Sequence, residues 1–104
     1  MSSRLALLAM PGEKLTALPV DALARLLLND LLLDKPPLNL DNWVRSIRRQ
    51  HRKDPAAMGA VSEAVAWLRH HMYLVADLRY GADDGWVIVS RQGGAWLRGT
   101  DGDA

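Results

Sequence analysis

Apolar residues recur every three or four positions in the segment after Pro19, which is the spacing of an amphipathic helix. Proline suits a helix start, because its missing N–H donor would have no partner there. Leu26, Leu32 and Leu33 widen the apolar surface beyond one stripe, so we expect another element or a second copy of the chain to cover it. Pro36-Pro37 ends this helix. The predicted inward positions are Val20, Leu23, Ala24, Leu27, Leu28 and Leu31.

A second predicted helix carries two stripes of different character. Asn39 is a suitable N-cap, because its side-chain oxygen accepts from a free N–H of the first turn. The apolar stripe consists of Leu40, Trp43, Val44 and Ile47. The basic stripe consists of Arg45, Arg48, Arg49 and Arg52. The stripe centres lie about 130° apart at roughly 100° per residue, so one packs inward while the other faces solvent.

A third helix is predicted from Asp54-Pro55, with Asp54 as the cap and Pro55 at the first helical position. Gly59 costs about 1 kcal/mol relative to Ala inside a helix, so the regular helix is expected to begin near Ala60. The predicted inward stripe is Val61, Ala64, Val65, Leu68 and Met72.

After Met72 the apolar period changes from helical to alternating, which predicts a strand over 73–80. Residues 81–85 form a turn with glycine at both ends, and the β-branched residues of 86–90 predict the returning strand of a hairpin. Gly93-Gly94 is expected to break the hairpin. Residues 95–97 would then pack back on the body, and 99–104 would form a frayed tail.

Composition narrows the possibilities for chemistry and compartment. The chain has no cysteine, which excludes disulfides, thiolate zinc sites and cysteine nucleophiles, and favours a reducing compartment such as the cytoplasm. Leu5–Met10 is too short for a signal peptide and is interpreted as part of the fold.

We predict one domain over residues 1–104, with a core over 18–98 and an N-terminal packing segment over 1–17. The formal net charge is +1, but residues 39–71 sum to +3 and 72–104 to −2.

Over about residues 18–98, the order of the predicted elements resembles that of a known protein superfamily. The segments AVAWLRHHMYLV (64–75) and GWVIVSRQG (85–93) are similar to the recognition-helix end, strand and wing of bacterial transcription-factor and phage-defence winged helices. The chain therefore resembles the winged helix-turn-helix superfamily. The resemblance implies a mainly α structure with a small β-hairpin, namely three helices plus a two-stranded wing. It also implies a second helix that crosses the DNA backbone and a third that reads the groove.

The leading hypothesis is a small non-enzymatic DNA-binding protein, a bacterial-type regulator or accessory subunit. The run Arg45–Lys53, which includes His51, has no acidic residue and would neutralise successive phosphates of double-stranded DNA. Arg69 and His70 on the third helix would reach base edges. The predicted nucleic-acid-binding residues are Arg45, Arg48, Arg49, Arg52, Lys53, Ser62, Arg69 and His70. One domain reads few bases, so a homodimer is expected, with Leu26, Leu32 and Leu33 as its interface.

The alternative hypothesis is a protein-interaction module in which the basic helix docks on an acidic partner. Asp83 and Asp84 stand in the wing turn, where a phosphate-tracking loop would carry Lys or Arg. The outward face of the third helix, Ser62, Ala66, Arg69 and His70, also offers few base-reading side chains. The sequence has no phosphate-binding loop or catalytic triad pattern, and neither metal nor cofactor is expected. The four tryptophans are expected to serve packing.

Overall fold

The computed structural model describes residues 10–33, 35–81 and 84–99. Most of the predicted N-terminal packing segment (1–9), Asp83 of the wing turn and most of the predicted tail (100–104) lie outside these ranges. The described chain is mainly helical with a small antiparallel sheet, so it is an α+β protein. In the described ranges its elements are α1 (Gly12–Ala17), α2 (Val20–Leu31), β1 (Leu38–Asn39), α3 (Leu40–His51), α4 (Pro55–His70), β2 (Leu74–Ala76), β3 (Trp86–Val89) and α5 (Arg91–Arg98).

Side-chain caps fix the starts of the two central helices. The Asn39 side chain accepts from the backbone N–H of Asn42 at 3.0 Å, and Asp54 accepts from that of Ala57 at 3.1 Å. Both predicted caps are therefore confirmed. The expectation that α4 becomes regular only near Ala60 is wrong, because the helix begins at Pro55 and runs through Gly59 without interruption.

The core forms where α2 and α4 pack together and α1, α3 and the sheet close around them. It is mostly aliphatic, with Trp43 of α3 as a large aromatic component. Leu15 of α1 is fully buried, so this short helix belongs to the core. The predicted inward positions of α2 from Leu23 to Leu31 are buried, and Val20 is half-buried.

The end of α4 differs from the prediction at Met72. The N–H of Met72 donates to Arg69 O at 3.0 Å and that of Tyr73 to Leu68 O at 2.9 Å, which is the hydrogen-bond pattern of a Schellman motif. The motif requires a left-handed residue, and Met72 takes that position with φ 60°. Its side chain is 60% exposed, so placing Met72 in the inward stripe is wrong.

The sheet has three strands in the described residues, in the order β1-β3-β2, and both pairings are antiparallel. The predicted hairpin is present as β2 and β3, with Leu74 opposite Val89. The third strand was not predicted: β1 places Leu38 opposite Val87 on the other side of β3. The predicted strand over 73–80 is wrong beyond Ala76, because the chain leaves the sheet at Asp77.

Asp77 organises the turn over residues 77–80, where the sequence had predicted a continuing strand. Its carboxylate accepts hydrogen bonds from the Arg79 guanidinium at 2.7 and 3.0 Å, and from the backbone N–H of Arg79 at 3.2 Å. The Asp77 side chain is almost fully buried, whereas Arg79 is mostly exposed. Leu78 projects into solvent with 78% of its surface exposed.

The sequence also failed to predict the last helix, α5. Its N-cap is Ser90, whose hydroxyl accepts from the N–H of Gly93 at 2.9 Å, and its C-cap is Gly99 in the left-handed conformation. Strand β3 ends at Val89 and Gly93-Gly94 lies inside α5, so the expectation that these glycines break the hairpin is wrong. A Cβ at Gly93 would stand 2.4 Å from the Tyr73 carbonyl oxygen, so glycine permits this close packing.

The ring of Trp96 anchors α5 to the body. It stacks on Tyr73, with ring centroids 5.0 Å apart, and lies 5.3 Å from Trp67 of α4. The expectation that residues 95–97 pack back on the body is thus confirmed. Two of the four tryptophans meet in this cluster, while Trp43 is in the core and Trp86 contacts Tyr80.

Alanine substitutions at Gly59 of α4 and at Gly93 of α5 are expected to change the free energy of unfolding in opposite directions. Gly93→Ala should lower the free energy of unfolding by about 2 kcal/mol or more, because the new methyl group collides with backbone that cannot rotate away. Gly59→Ala should raise it by about 1 kcal/mol, because nothing lies within 4 Å of the new methyl group and Ala has the higher helix propensity. Urea unfolding followed by circular dichroism measures both. A stabilising Gly93→Ala would contradict the close packing of α5 on Tyr73.

The turn at Asp77 should make stability depend on pH in the acid range. The hydrogen bond from Arg79 lowers the pKa of Asp77 below its ordinary value, and burial opposes part of that shift. Since the folded pKa is depressed, this stabilisation is present above the unfolded pKa of about 3.9 and is lost as pH falls through the folded value. Asp77→Asn should therefore be less stable than the native chain at pH 7, and the difference should shrink below about pH 4. Urea titrations from pH 7 to 2.5 measure this. Asp84→Asn, the same change at an exposed carboxylate of the wing turn, is the control; an equal response would contradict the assignment.

Candidate nucleic-acid interface

The basic stripe of α3, Arg45, Arg48, Arg49 and Arg52, faces solvent along its whole length. Trp43 and Ile47 on the opposite side of the helix are buried. At a rise of about 1.5 Å per residue the stripe extends roughly 10 Å along the helix, which is about three base steps of one DNA strand. The amphipathic pattern in the sequence therefore predicted the orientation of this helix correctly.

Among the described residues, the guanidinium groups of the basic stripe have no neutralising carboxylate partner. Across residues 10–33, 35–81 and 84–99, none of the four arginines forms an ion pair with a carboxylate. Lys53 is also exposed and extends the positive surface into the turn between α3 and α4. The result is a run of solvated cations of the kind that attracts a polyanion.

His51 does not belong to this surface, although it stands in the basic run. It is only 7% exposed, and its Nε2 has no hydrogen-bond partner among the residues that the structure describes. The sequence contains the signal for this position, because His51 follows Ile47 by four residues and therefore lies on the apolar face. Including it in a phosphate-binding run is wrong.

The turn between α3 and α4 is short and is closed by a backbone hydrogen bond. It comprises Arg52, Lys53 and Asp54, and the N–H of Asp54 donates to His51 O at 2.9 Å. The basic stripe therefore runs directly into the start of α4. Arg69 and His70 are exposed as well, but they lie at the far end of α4, about 22–24 Å from the turn at the helical rise. The predicted residues thus form one continuous basic surface and a separate pair.

The outward face of α4 offers few groups for reading base edges. Ser62 is exposed, but its hydroxyl donates to Met58 O at 2.9 Å within the helix. The exposed Ala66 lies between Ser62 and the Arg69–His70 pair, and the His70 ring contacts the His71 ring at 5.4 Å. Arg69 remains as the long side chain on this face whose donors have no partner within the described ranges.

The acidic wing turn lies at the other end of α3 from most of the basic stripe. The Asn39 side-chain amide donates to Asp84 O at 3.2 Å, and the N–H of Leu40 donates to Gly85 O at 2.7 Å. Arg48 is nine residues further along the helix, or about 13 Å at 1.5 Å per residue. Asp84 therefore does not neutralise the centre of the stripe, since this separation exceeds the Debye length of about 10 Å at 0.1 M salt.

A buried hydrogen bond sets the rotation of α3. The indole N–H of Trp43 donates to Oδ2 of Asp30 near the end of α2, at 2.6 Å, and both side chains are almost fully buried. This bond and the burial of Ile47 fix which side of α3 faces the core. They therefore also fix the outward direction of the arginines.

Comparison of the chain with protein-family models, with curated proteins and with solved structures finds no significant match. Within the described ranges, no three His, Asp or Glu side chains are grouped so that they would hold a metal ion. None of the helices in those ranges has the length and apolar character needed to cross a membrane.

Replacing Trp43 by Phe should weaken the attachment of α3 to the core and so lower the free energy of unfolding. Trp43→Phe keeps an aromatic ring but removes the indole donor to buried Asp30, at an expected cost of about 1–3 kcal/mol in the free energy of unfolding. Trp86→Phe, on a half-buried residue of β3, is the matched control and should cost less. Urea unfolding of both variants gives the comparison. Equal losses for the two variants would show that the bond to Asp30 adds nothing to the anchoring of α3.

Proposed function

We propose that this chain is a winged helix-turn-helix domain that binds duplex DNA, in a non-enzymatic role as a regulator or accessory subunit. Three features of the fold support the fold assignment. Helices α3 and α4 are joined by a three-residue turn, which is the length found in helix-turn-helix motifs. The hairpin β2-β3 follows α4 directly, in the place of a wing. Strand β1 precedes α3 and adds to the same sheet.

The observation that carries the DNA proposal is the unpaired basic stripe on α3. Its four arginines and Lys53 are exposed without carboxylate partners among the described residues, so they are available for phosphate oxygens. In a helix-turn-helix protein the first helix of the motif crosses the DNA backbone, and α3 occupies that position. Guanidinium groups bind phosphate in a bidentate manner, which orients the protein as well as attracting it.

The contacts we propose would raise affinity for duplex DNA without selecting a particular base sequence. Phosphate contacts position a protein on the duplex without reading bases. On α4, Arg69 and His70 lie at the end remote from the basic stripe, and Ser62 is engaged with its own helix. We therefore propose that binding is largely independent of base sequence, with Arg69 as the one long donor placed for a base edge.

A second candidate is a protein-interaction module that docks its basic helix on an acidic partner. The small side chains on the outward face of α4, such as Ala66 and Ser62, favour this alternative, because a flat helix face suits packing better than base reading. The position of Asp84 favours DNA, because its turn is tied to the other end of α3. Binding to a duplex distinguishes the two.

Binding of the chain to a labelled generic duplex should fall steeply with salt. If the stripe contacts three or four phosphates, the logarithm of affinity should decrease with the logarithm of salt concentration at a slope of about −3 to −4. Arg48→Glu/Arg49→Glu should lose most of the binding. Fluorescence anisotropy at several salt concentrations measures both quantities, and duplexes of unrelated sequence should bind equally well.

The matched control is Arg91→Glu/Arg98→Glu, which makes the same change in net charge at two exposed arginines of α5. It should retain most of the binding and a similar salt slope. Equal losses in the two double variants would mean that overall charge, and not the α3 surface, attracts DNA. Absence of binding at 50 mM salt would reject the DNA proposal and leave the basic stripe as a protein-docking surface.

A further inference from the structure

A surface groove lies between α2 and α5, away from the basic stripe of α3. Its volume of about 460 Å³ is within the range of about 300–1,000 Å³ that is typical of small-molecule sites. Three of the lining side chains are apolar, and the other three are a carboxylate, a guanidinium and an amide. The lining residues are Ala22, Leu26, Trp96, Asp21, Arg25 and Asn29. The groove therefore combines apolar surface with groups of both charges.

Of the three leucines that the sequence predicts as a homodimer interface, Leu26 lines this groove. Leu32 and Leu33 lie beyond the last residue of α2 and outside the groove. All three side chains are exposed, and the homodimer stays a prediction.

The guanidinium of Arg25 is held at the wall of the groove by α5. Its Cζ lies 4.3 Å from the centre of the Trp96 ring, and one of its terminal nitrogens donates to Leu97 O at 3.0 Å. A guanidinium has several N–H donors, and within the described ranges the others on Arg25 have no hydrogen-bond partner. The contacts with α5 thus fix a cation beside the groove and leave it donors for a ligand.

Asp21 lies one helical turn before Arg25, on the wall of the same groove. An acid four residues before a base is the favourable order for an ion pair on a helix. That pair does not form here, because α5 engages the guanidinium; among the described residues, Asp21 has neither an ion pair nor a hydrogen bond. The groove therefore holds a carboxylate and a cation that do not neutralise each other, about 6 Å apart along the axis of α2.

We propose that this groove binds a free α-amino acid with a large apolar side chain. The ammonium group of the ligand donates to the Asp21 carboxylate. Its carboxylate accepts from Arg25 and from the side-chain amide of Asn29, which lies one turn further along α2. The ligand side chain packs against Leu26 and Trp96. Each polar group of the groove thus meets a group of the opposite sign or hydrogen-bonding sense.

The two charges of the groove favour a zwitterion over an ion of one sign. A simple anion would be attracted by Arg25 but repelled by the neighbouring Asp21 carboxylate, and a simple amine would experience the reverse. An α-amino acid carries both charges within one small unit, so it satisfies both residues together. The site is formed by α2 and α5, so this proposal does not depend on whether α3 binds DNA.

Titration of the full ¹⁵N-labelled chain with L-phenylalanine, followed by NMR, tests the site. The backbone amide signals of residues 21–29 and 95–97 should shift and approach saturation by about 10 mM ligand. N-acetyl-L-phenylalanine lacks the ammonium group and L-phenylalaninamide lacks the carboxylate, so each should bind at least about 10-fold more weakly. Equal binding of the three compounds, or no shift at these residues, would overturn the proposal.

The role of the carboxylate is tested by Asp21→Asn, a substitution at an exposed position. Its affinity for L-phenylalanine should fall at least about 10-fold, because a charge-assisted hydrogen bond is lost. Its affinity for N-acetyl-L-phenylalanine should not fall, since that compound has no ammonium group for Asp21 to bind. Asp84→Asn, at an exposed carboxylate of the wing turn, is the matched control and should bind both compounds as the native chain does. A parallel loss for both compounds in Asp21→Asn, or an equal loss in Asp84→Asn, would contradict the assignment.

Discussion

The direction in which α3 faces depends on one buried hydrogen bond, from the Trp43 indole to the Asp30 carboxyl. A helix that is apolar on one side and strongly basic on the other has a single acceptable rotation, since a turn of about 100° would bury arginine. Hydrophobic burial alone tolerates small rotations, but a hydrogen bond between two buried side chains does not. The solvated arginines are thus a consequence of the polar contact on the opposite face.

The concentration of positive charge on α3 opposes folding through self-repulsion, and the fold limits that cost by position. Arg48 and Arg49 lie in the last turn of the helix, where the negative end of the helix dipole stabilises cations, and Asp41 lies in the first turn. The turn that carries Asp84 is bound at the N-terminal end. Arg48, Arg49 and Asp41 therefore sit where the helix dipole favours their sign, and among the described residues the basic stripe has no ion pairs that a ligand would have to break.

Features that depend on local chemistry were predictable from the sequence, and features that depend on distant partners were not. Asn39 and Asp54 act within three residues, so their caps could be identified from the chain alone. Strand β1 has two residues and exists because β3 lies beside it, and α5 accommodates Gly93 because the Tyr73 carbonyl approaches it. The outward arginines followed from helical periodicity. The burial of His51 was equally encoded by that periodicity but was hidden by its basic neighbours.

The sheet order β1-β3-β2 has a consequence for how molecules of this protein meet. Both edge strands are very short, two and three residues, and each runs directly into a helix or a turn. Such edges expose too few free backbone groups to template a strand from another chain, which is a protection against amyloid-like association that longer hairpins lack. Any contact between molecules would therefore depend on the shape and charge of side chains, and not on pairing of backbone strands.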